Sequence, residues 1–224
     1  MRTRTFTAPA ALAAGALLLT ACGSSPLEGQ NGPEVAGLAA DALEEAGSVR
    51  LSGSMTQDGE EAEIDMQLQG DDAAGTITIQ GTEIELISVG GDVYLKATED
   101  LLASFGVTAE QSADFEGRWI MVPSEESADF EEFTLDQFVE ELRNPEDGEI
   151  LDETSNDEVD GESVVVVEQE DGSTLSVADD DPPYPLQVTG GEDEEGTITF
   201  SNHGEEEDIS APDDVISPEE LEGS

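Results

Sequence analysis

At Ser48 the spacing of apolar residues changes from near four to two, and it stays near two through most of the remaining chain. No other feature constrains the fold as much, because a period of two places every apolar side chain on one face of a strand. The clearest case is Glu63 to Gln69. There Ile64, Met66 and Leu68 alternate with Glu63, Asp65, Gln67 and Gln69. Val49, Leu51, Gly53 and Met55 alternate ahead of an Asp58-Gly59 pair, which favours the positive φ of a tight hairpin. Ile77 with Ile79, Ile84 with Leu86, and Val93 with Leu95 follow, separated by Gly81 and Gly90-Gly91. The pattern predicts five strands in an antiparallel meander.

Helical spacing appears in three places. Pro33 opens a stripe of Val35, Leu38, Ala39, Ala42 and Leu43, and Gly47 suits its C-terminus. Leu101, Leu102 and Phe105 predict a short helix interrupted at Gly106. Thr134, with Gln137 three residues on, caps a helix with Leu135, Phe138, Val139 and Leu142 on its apolar face, stopped by Asn144-Pro145. The other segments read as strands: Arg118 to Val122, a polar Ile150 to Val159, Glu162 to Glu170, Thr174 to Ala178, Tyr184 to Thr189 and Thr197 to Ser201. Val164 to Val167 is apolar without alternation and suits a strand covered on both faces. Ile209, Val215 and Ile216 leave open either an edge strand or a frayed tail.

About eleven strands with few helices exclude a parallel βαβ sheet, and strands with one apolar face require a cover. The expected class is α+β: one strongly curved antiparallel sheet with helices packed on its concave face. Alternation alone does not distinguish a filled core from one that leaves a cavity.

The first residues carry a different signal. Arg2 and Arg4 precede an apolar run from Ala8 to Leu19. That run is about a dozen residues, short of the ~20 needed to span a bilayer, and reads as a secretory signal. Leu19-Thr20-Ala21-Cys22 resembles the bacterial lipobox. The resemblance implies that Cys22 is acylated, with palmitate or a similar chain, and becomes the mature N-terminus. The alternative is a plain cleavable signal that ends by chance in a cysteine. As the only cysteine, Cys22 has no intramolecular disulfide partner. The expected layout is a signal peptide over 1–21, a lipidated cysteine and flexible tether over 22–33, one domain over 34–216 and an acidic disordered tail over 217–224. The expected location is the extracytoplasmic face of the cell membrane, held by the lipid on Cys22.

Charge removes several function classes. From Cys22 onward, Arg50, Lys96, Arg118 and Arg143 are the only Lys or Arg side chains, against 56 Asp and Glu. Nucleic-acid binding needs clustered cations that release counterions, so a nucleic-acid partner is excluded. Docking of the bare surface on anionic lipid headgroups is disfavoured for the same reason. Such self-repulsion is tolerated best at high ionic strength, which points to a salt-adapted source.

Catalytic and metal constellations are not found. His203, the single histidine, sits in Ser201-Asn202-His203-Gly204 at a strand-to-turn junction, and no Gly-x-Ser-x-Gly sequence occurs. One histidine without a spare cysteine excludes the usual zinc ligand sets. Asn156-x-Glu158-x-Asp160-Gly161 begins like an EF-hand loop, but Val167 stands where a bidentate Glu is required. No phosphate-binding glycine-rich loop is present. The expectation is a non-enzyme without metal or cofactor.

Several short stretches resemble the actinobacterial LppX/LprAFG lipoprotein family. They are Asp181-Pro182-Pro183-Tyr184-Pro185-Leu186-Gln187-Val188, Thr197-Ile198-Thr199-Phe200-Ser201-Asn202-His203-Gly204 and Ile209-Ser210-Ala211-Pro212. Ala42 to Gly53 and Gly91-Asp92-Val93-Tyr94-Leu95-Lys96 are similar too, and the order of matches covers most of 34–216. The resemblance implies a LolA-like half-barrel with helices across its mouth. It also implies an apolar cavity that binds acylated lipids or glycolipids and can pass them to an envelope transporter. The cavity candidates taken from the apolar strand faces are Leu51, Met55, Ile64, Met66, Leu68, Ile77, Ile79, Leu86 and Leu95. Leu135, Phe138 and Leu142 join them from the covering helix. The rival expectation is a non-catalytic accessory or sensor lipoprotein that meets a protein partner through its acidic surface.

Overall fold

The computed structural model describes residues 25–57, 59–104, 107–122, 133–145, 148–191, 194–217 and 220. Helix α1 (Gly32–Ala46) begins one residue before Pro33, because Asn31 is its cap. The Asn31 side chain accepts from the Glu34 N–H, and the Glu34 carboxylate accepts from the Asn31 N–H, each at 3.0 Å. This box satisfies backbone donors that the helix start would otherwise leave without partners. Gly47, at φ 75°, closes the helix and hands the chain to β1 (Ser48–Gln57).

The meander follows as β2 (Glu60–Gln69), β3 (Asp72–Ile79), β4 (Thr82–Val89) and β5 (Asp92–Lys96). Short helices α2 (Glu99–Ser104) and α3 (Ala109–Ser112) lead to β6 (Trp119–Met121). Helix α4 (Leu135–Arg143) is capped by the Thr134 side chain. Then come β7 (Ile150–Val159), β8 (Glu162–Gln169), β9 (Thr174–Ala178), β10 (Pro185–Thr189), β11 (Glu194–Ser201) and β12 (Val215–Ile216). The segment resembling an EF-hand forms the β7–β8 hairpin, with Asp160 and Gly161 at its turn. Phe105 and Gly106, expected at the helix break, lie outside the described residues.

All strands form one curved, unclosed sheet in the order β12-β6-β5-β4-β3-β2-β1-β11-β10-β9-β8-β7. The expected single antiparallel sheet is present, with one addition: Val215 and Ile216 pair parallel with Trp119 and Ile120 and form a twelfth strand at the β6 edge. The chain therefore runs as two meanders that meet at β1 and β11. The link from β6 to β7 joins strands near opposite edges, and α4 lies in that link.

Register explains the apolar face. Opposed residues of neighbouring strands point to the same side. Phe200, Leu51, Met66, Gly75, Leu86, Leu95, Ile120 and Ile216 are opposed in succession and form one row across the sheet. A second row runs Val167, Leu175, Val188, Ile198, Gly53, Ile64, Ile77 and Ile84. The first row is filled. Leu51, Met66 and Leu86 are fully buried against Leu43 of α1 and Leu135 and Val139 of α4. A second cluster joins Val35, Ala36 and Ala39 of α1 to Val165, Val167, Leu175 and Val177.

At two positions neighbouring strands approach too closely for any side chain. Gly53 has φ 151° and Gly75 has φ 157°. A Cβ would lie 2.0 Å from the Thr197 carbonyl oxygen at Gly53, and 2.1 Å from that of Asp65 at Gly75. No other residue fits either position without moving the neighbouring strand.

Part of the expected tether is packed. Leu27 is buried against the α1 and β8–β9 cluster, and the Ser25 hydroxyl donates to the Asp179 carboxylate. Burying Leu27 contributes roughly 2 kcal/mol toward ordering this turn. The outer face carries a strap from the C-terminal region. The Glu205 carbonyl accepts from Ser48 Oγ and from buried Gln67 Nε2, at 3.0 and 2.9 Å. Arg50 pairs with both Asp65 and Glu207.

Candidate ligand-binding cavity

A cavity of about 200 Å³ lies between the inner sheet face and the helices. Val167, Leu175, Val188 and Ile198 of the second row form its floor, with Phe200 beside them. Phe138 and Leu142 of α4 form the roof, Ile150 of β7 and Ala36 of α1 stand at one side, and Met55 closes the other. Phe138 meets Phe200 edge to face at 5.9 Å between ring centroids, so roof and floor touch at this point.

Two small residues stand in the wall of this space. Ala36 turns only a methyl group inward. Gly196 lies opposite Met55, and Gly190 is itself part of the wall. Larger side chains are barred at Gly190, where a Cβ would lie 2.1 Å from the Glu194 carbonyl oxygen.

The lining turns polar toward the strand ends. Asp171 and Ser173 of the β8–β9 turn, Gln169, Thr174 and Glu194 stand there, with Glu141 of α4 above them. Glu141 is exposed, so this end communicates with solvent. Asp171 is fixed locally: its Oδ1 accepts from the Ser173 N–H at 3.0 Å and from the Ser173 hydroxyl at 2.8 Å.

The sequence candidates separate into three groups. Met55, Phe138 and Leu142 line the cavity. Leu51, Met66, Leu68, Leu86, Leu95 and Leu135 lie in the filled core, none more than 5% exposed, with Ile64 and Ile77 packed against it. Ile79 is 44% exposed. The cavity is thus displaced from the first meander toward the second. Most of its floor, Val167, Leu175, Val188 and Ile198, was visible in sequence only as ordinary apolar strand residues. Cys22 lies outside the described residues.

His203 has a structural role. Its Nε2 lies 2.9 Å from the Pro185 carbonyl oxygen, and its ring stacks on Tyr184 at 4.4 Å between centroids. Burial pushes its pKa below 6.5, opposed by the Pro185 hydrogen bond. Among the described residues no three His, Cys, Asp or Glu side chains gather in a way that would hold a metal ion. A wider depression of about 740 Å³ on the outer face is walled mainly by Ser54, Glu63, Asp65, Thr76, Thr78 and Glu83, and offers little to an apolar chain.

No family model and no curated protein matches the sequence. Among solved structures, the lipoprotein LppX of Mycobacterium tuberculosis aligns with a TM-score of 0.50 at 13% identity, covering 80% of this chain and 99% of LppX. The fold is LppX-like. An uncharacterized conserved protein from Thermus thermophilus aligns at TM-score 0.38 and 6% identity, over 79% of this chain and 95% of its own. At such identity the LppX likeness fixes the path of the chain and leaves its side chains independent. The large, mostly antiparallel, unclosed sheet with few helices is the LppX-like part. Among the described residues no helix is long and apolar enough to cross a membrane.

Proposed function

We propose that this chain is a non-catalytic lipoprotein, anchored through Cys22 on the extracytoplasmic face of the membrane, that holds an acyl chain of a lipid or glycolipid in the cavity under α4. The observation that carries this reading is the apolar wall of Val167, Leu175, Val188, Ile198 and Phe200 beneath Phe138 and Leu142. Such a wall removes hydrocarbon from water at a gain of roughly 25 cal/mol per Å². The LppX-like fold supports the reading because LppX is a lipoprotein. The lipobox at Leu19 to Cys22 supports the anchor, and the division at 1–21, 22–33, 34–216 and 217–224 belongs to the same proposal.

Volume limits what enters. Pockets that enclose a whole drug-sized ligand measure roughly 300–1,000 Å³, and a cavity of about 150 Å³ admits benzene. At about 200 Å³ this cavity takes one chain or part of one, with the rest of the lipid outside. A lipid held by one chain is released without chemistry, which suits transfer to an acceptor or an envelope transporter.

Native mass spectrometry of protein extracted from its own membrane tests the reading. An acylated lipid should co-purify, and Val188→Phe, which fills the floor, should remove it while a cooperative melt is retained. Cys22→Ser should release folded protein from the membrane fraction. Lipid-free protein, or lipid retained in Val188→Phe, would overturn the cavity assignment.

A second reading has one observation in its favour. Arg50, Lys96, Arg118 and Arg143 all pair with carboxylates of this chain, so the cations are spent internally and the surface is overwhelmingly acidic. An accessory lipoprotein facing a basic protein partner would look the same. A stoichiometric basic partner recovered without lipid would favour it.

A further inference from the structure

We infer that the amphiphile held in this cavity by one chain has a polar end that carries no negative charge. The inference rests on reading the cavity as a lipid site and adds the headgroup class.

The apolar interior ends at three carboxylates: Glu141 on α4, Asp171 in the β8–β9 turn and Glu194 at the start of β11. Among the described residues the lining contains no Lys, Arg or His. The nearest cation along α4, Arg143, is turned to Asp41 and Glu44 of α1. A carboxylate or phosphate headgroup held by its chain in this cavity would face like charges with a low-dielectric wall behind it. Such repulsion is strong near apolar surface and weak in open water.

An uncharged headgroup meets the same end differently. Its hydroxyl or amide hydrogens can donate to Asp171 and Glu194. Its oxygens can accept from the side chains of Thr174 and Gln169. A cationic head would be drawn to the carboxylates. The narrow volume excludes a bundle of chains, so one chain with a neutral or cationic end is the class that fits.

Calorimetric titration of the intact, delipidated protein tests this with dodecyl amphiphiles below micelle formation. Monododecanoylglycerol and dodecyltrimethylammonium should bind. Dodecanoate should bind at least about tenfold more weakly at about 0.1 M NaCl, and the gap should narrow at about 1 M. Asp171→Asn with Glu194→Gln should strengthen dodecanoate binding several-fold and leave monododecanoylglycerol within about twofold. Repulsion from the acidic surface at large would not respond to that pair, and a null response would overturn the assignment to the mouth. If dodecanoate matches monododecanoylglycerol and Val188→Phe abolishes both, the headgroup inference falls while the cavity reading stands. If no amphiphile binds, both fall.

Discussion

His203 is the residue at which function was most easily misplaced. A lone histidine in an acidic chain invites a catalytic role, yet its ring is committed to the Tyr184 face and the Pro185 carbonyl. Burial favours the neutral ring, so its folded pKa lies below its ordinary value. The unfolded chain then binds the extra proton first as pH falls. The His203 contribution is fully present above about pH 6.5 and is lost as pH drops through that value toward the folded pKa. As the only histidine, it is the only side chain with an ordinary pKa between about pH 5 and 8. The urea midpoint should therefore fall between about pH 8 and 6, and His203→Gln should flatten that slope whatever it does to absolute stability. An unchanged slope in the variant would place the titration elsewhere.

Elements show what a single sequence can and cannot disclose. Strands β1 to β5 were legible because Ile64, Met66 and Leu68 alternate with charges, and a one-residue slip would turn all of them outward. Helices α1 and α4 were legible through stripes and caps. The cavity was not, because it depends on register between distant strands. Nothing near Val188 reveals that it stands between Leu175 and Ile198. Nor does Phe138 reveal that its ring meets Phe200 of the second meander. The twelfth strand was undecidable for a similar reason: Val215-Ile216 is too short to carry a period. One contact that the sequence did not disclose holds the roof. Arg143, near the end of α4, pairs with Asp41 at 2.7 Å and with Glu44, both on α1. These partners are well exposed, so Arg143→Ala should cost no more than about 1 kcal/mol in global stability. Its local effect should be larger. Hydrogen exchange at Phe138 and Val139 should quicken in Arg143→Ala while amides in β2 and β3 remain protected. Equal change in both regions would show that α4 does not open separately from the sheet.

At the scale of the whole molecule, a formal charge of −50 acts against compaction. The structure places it outside an ordinary apolar core. Leu43, Leu51, Met66 and Leu68 are completely buried, while β7 exposes nearly its whole length as Leu-Asp-Glu-Thr-Ser-Asn-Asp-Glu. That acidic strand is a sheet edge, and its carboxylates discourage pairing with a second copy. Raising NaCl shortens the Debye length from about 10 Å at 0.1 M to about 3 Å at 1 M. The melting temperature should rise over that interval, and differential scanning calorimetry would detect it. A flat or falling response would show that the fold bears its charge without help from salt.

The meeting of the two meanders also sets an order of events. Leu51 cannot find Phe200 until β11 has been made, and Trp119 waits longer still for Val215. Before that, β1 is an open edge with an apolar face, the kind of surface on which chains join one another. A chain that ended before β11 would keep this edge permanently. Loss of the segment from β11 onward would therefore do more harm than its largely polar sequence suggests. The two meanders can therefore join only once β11 has been made.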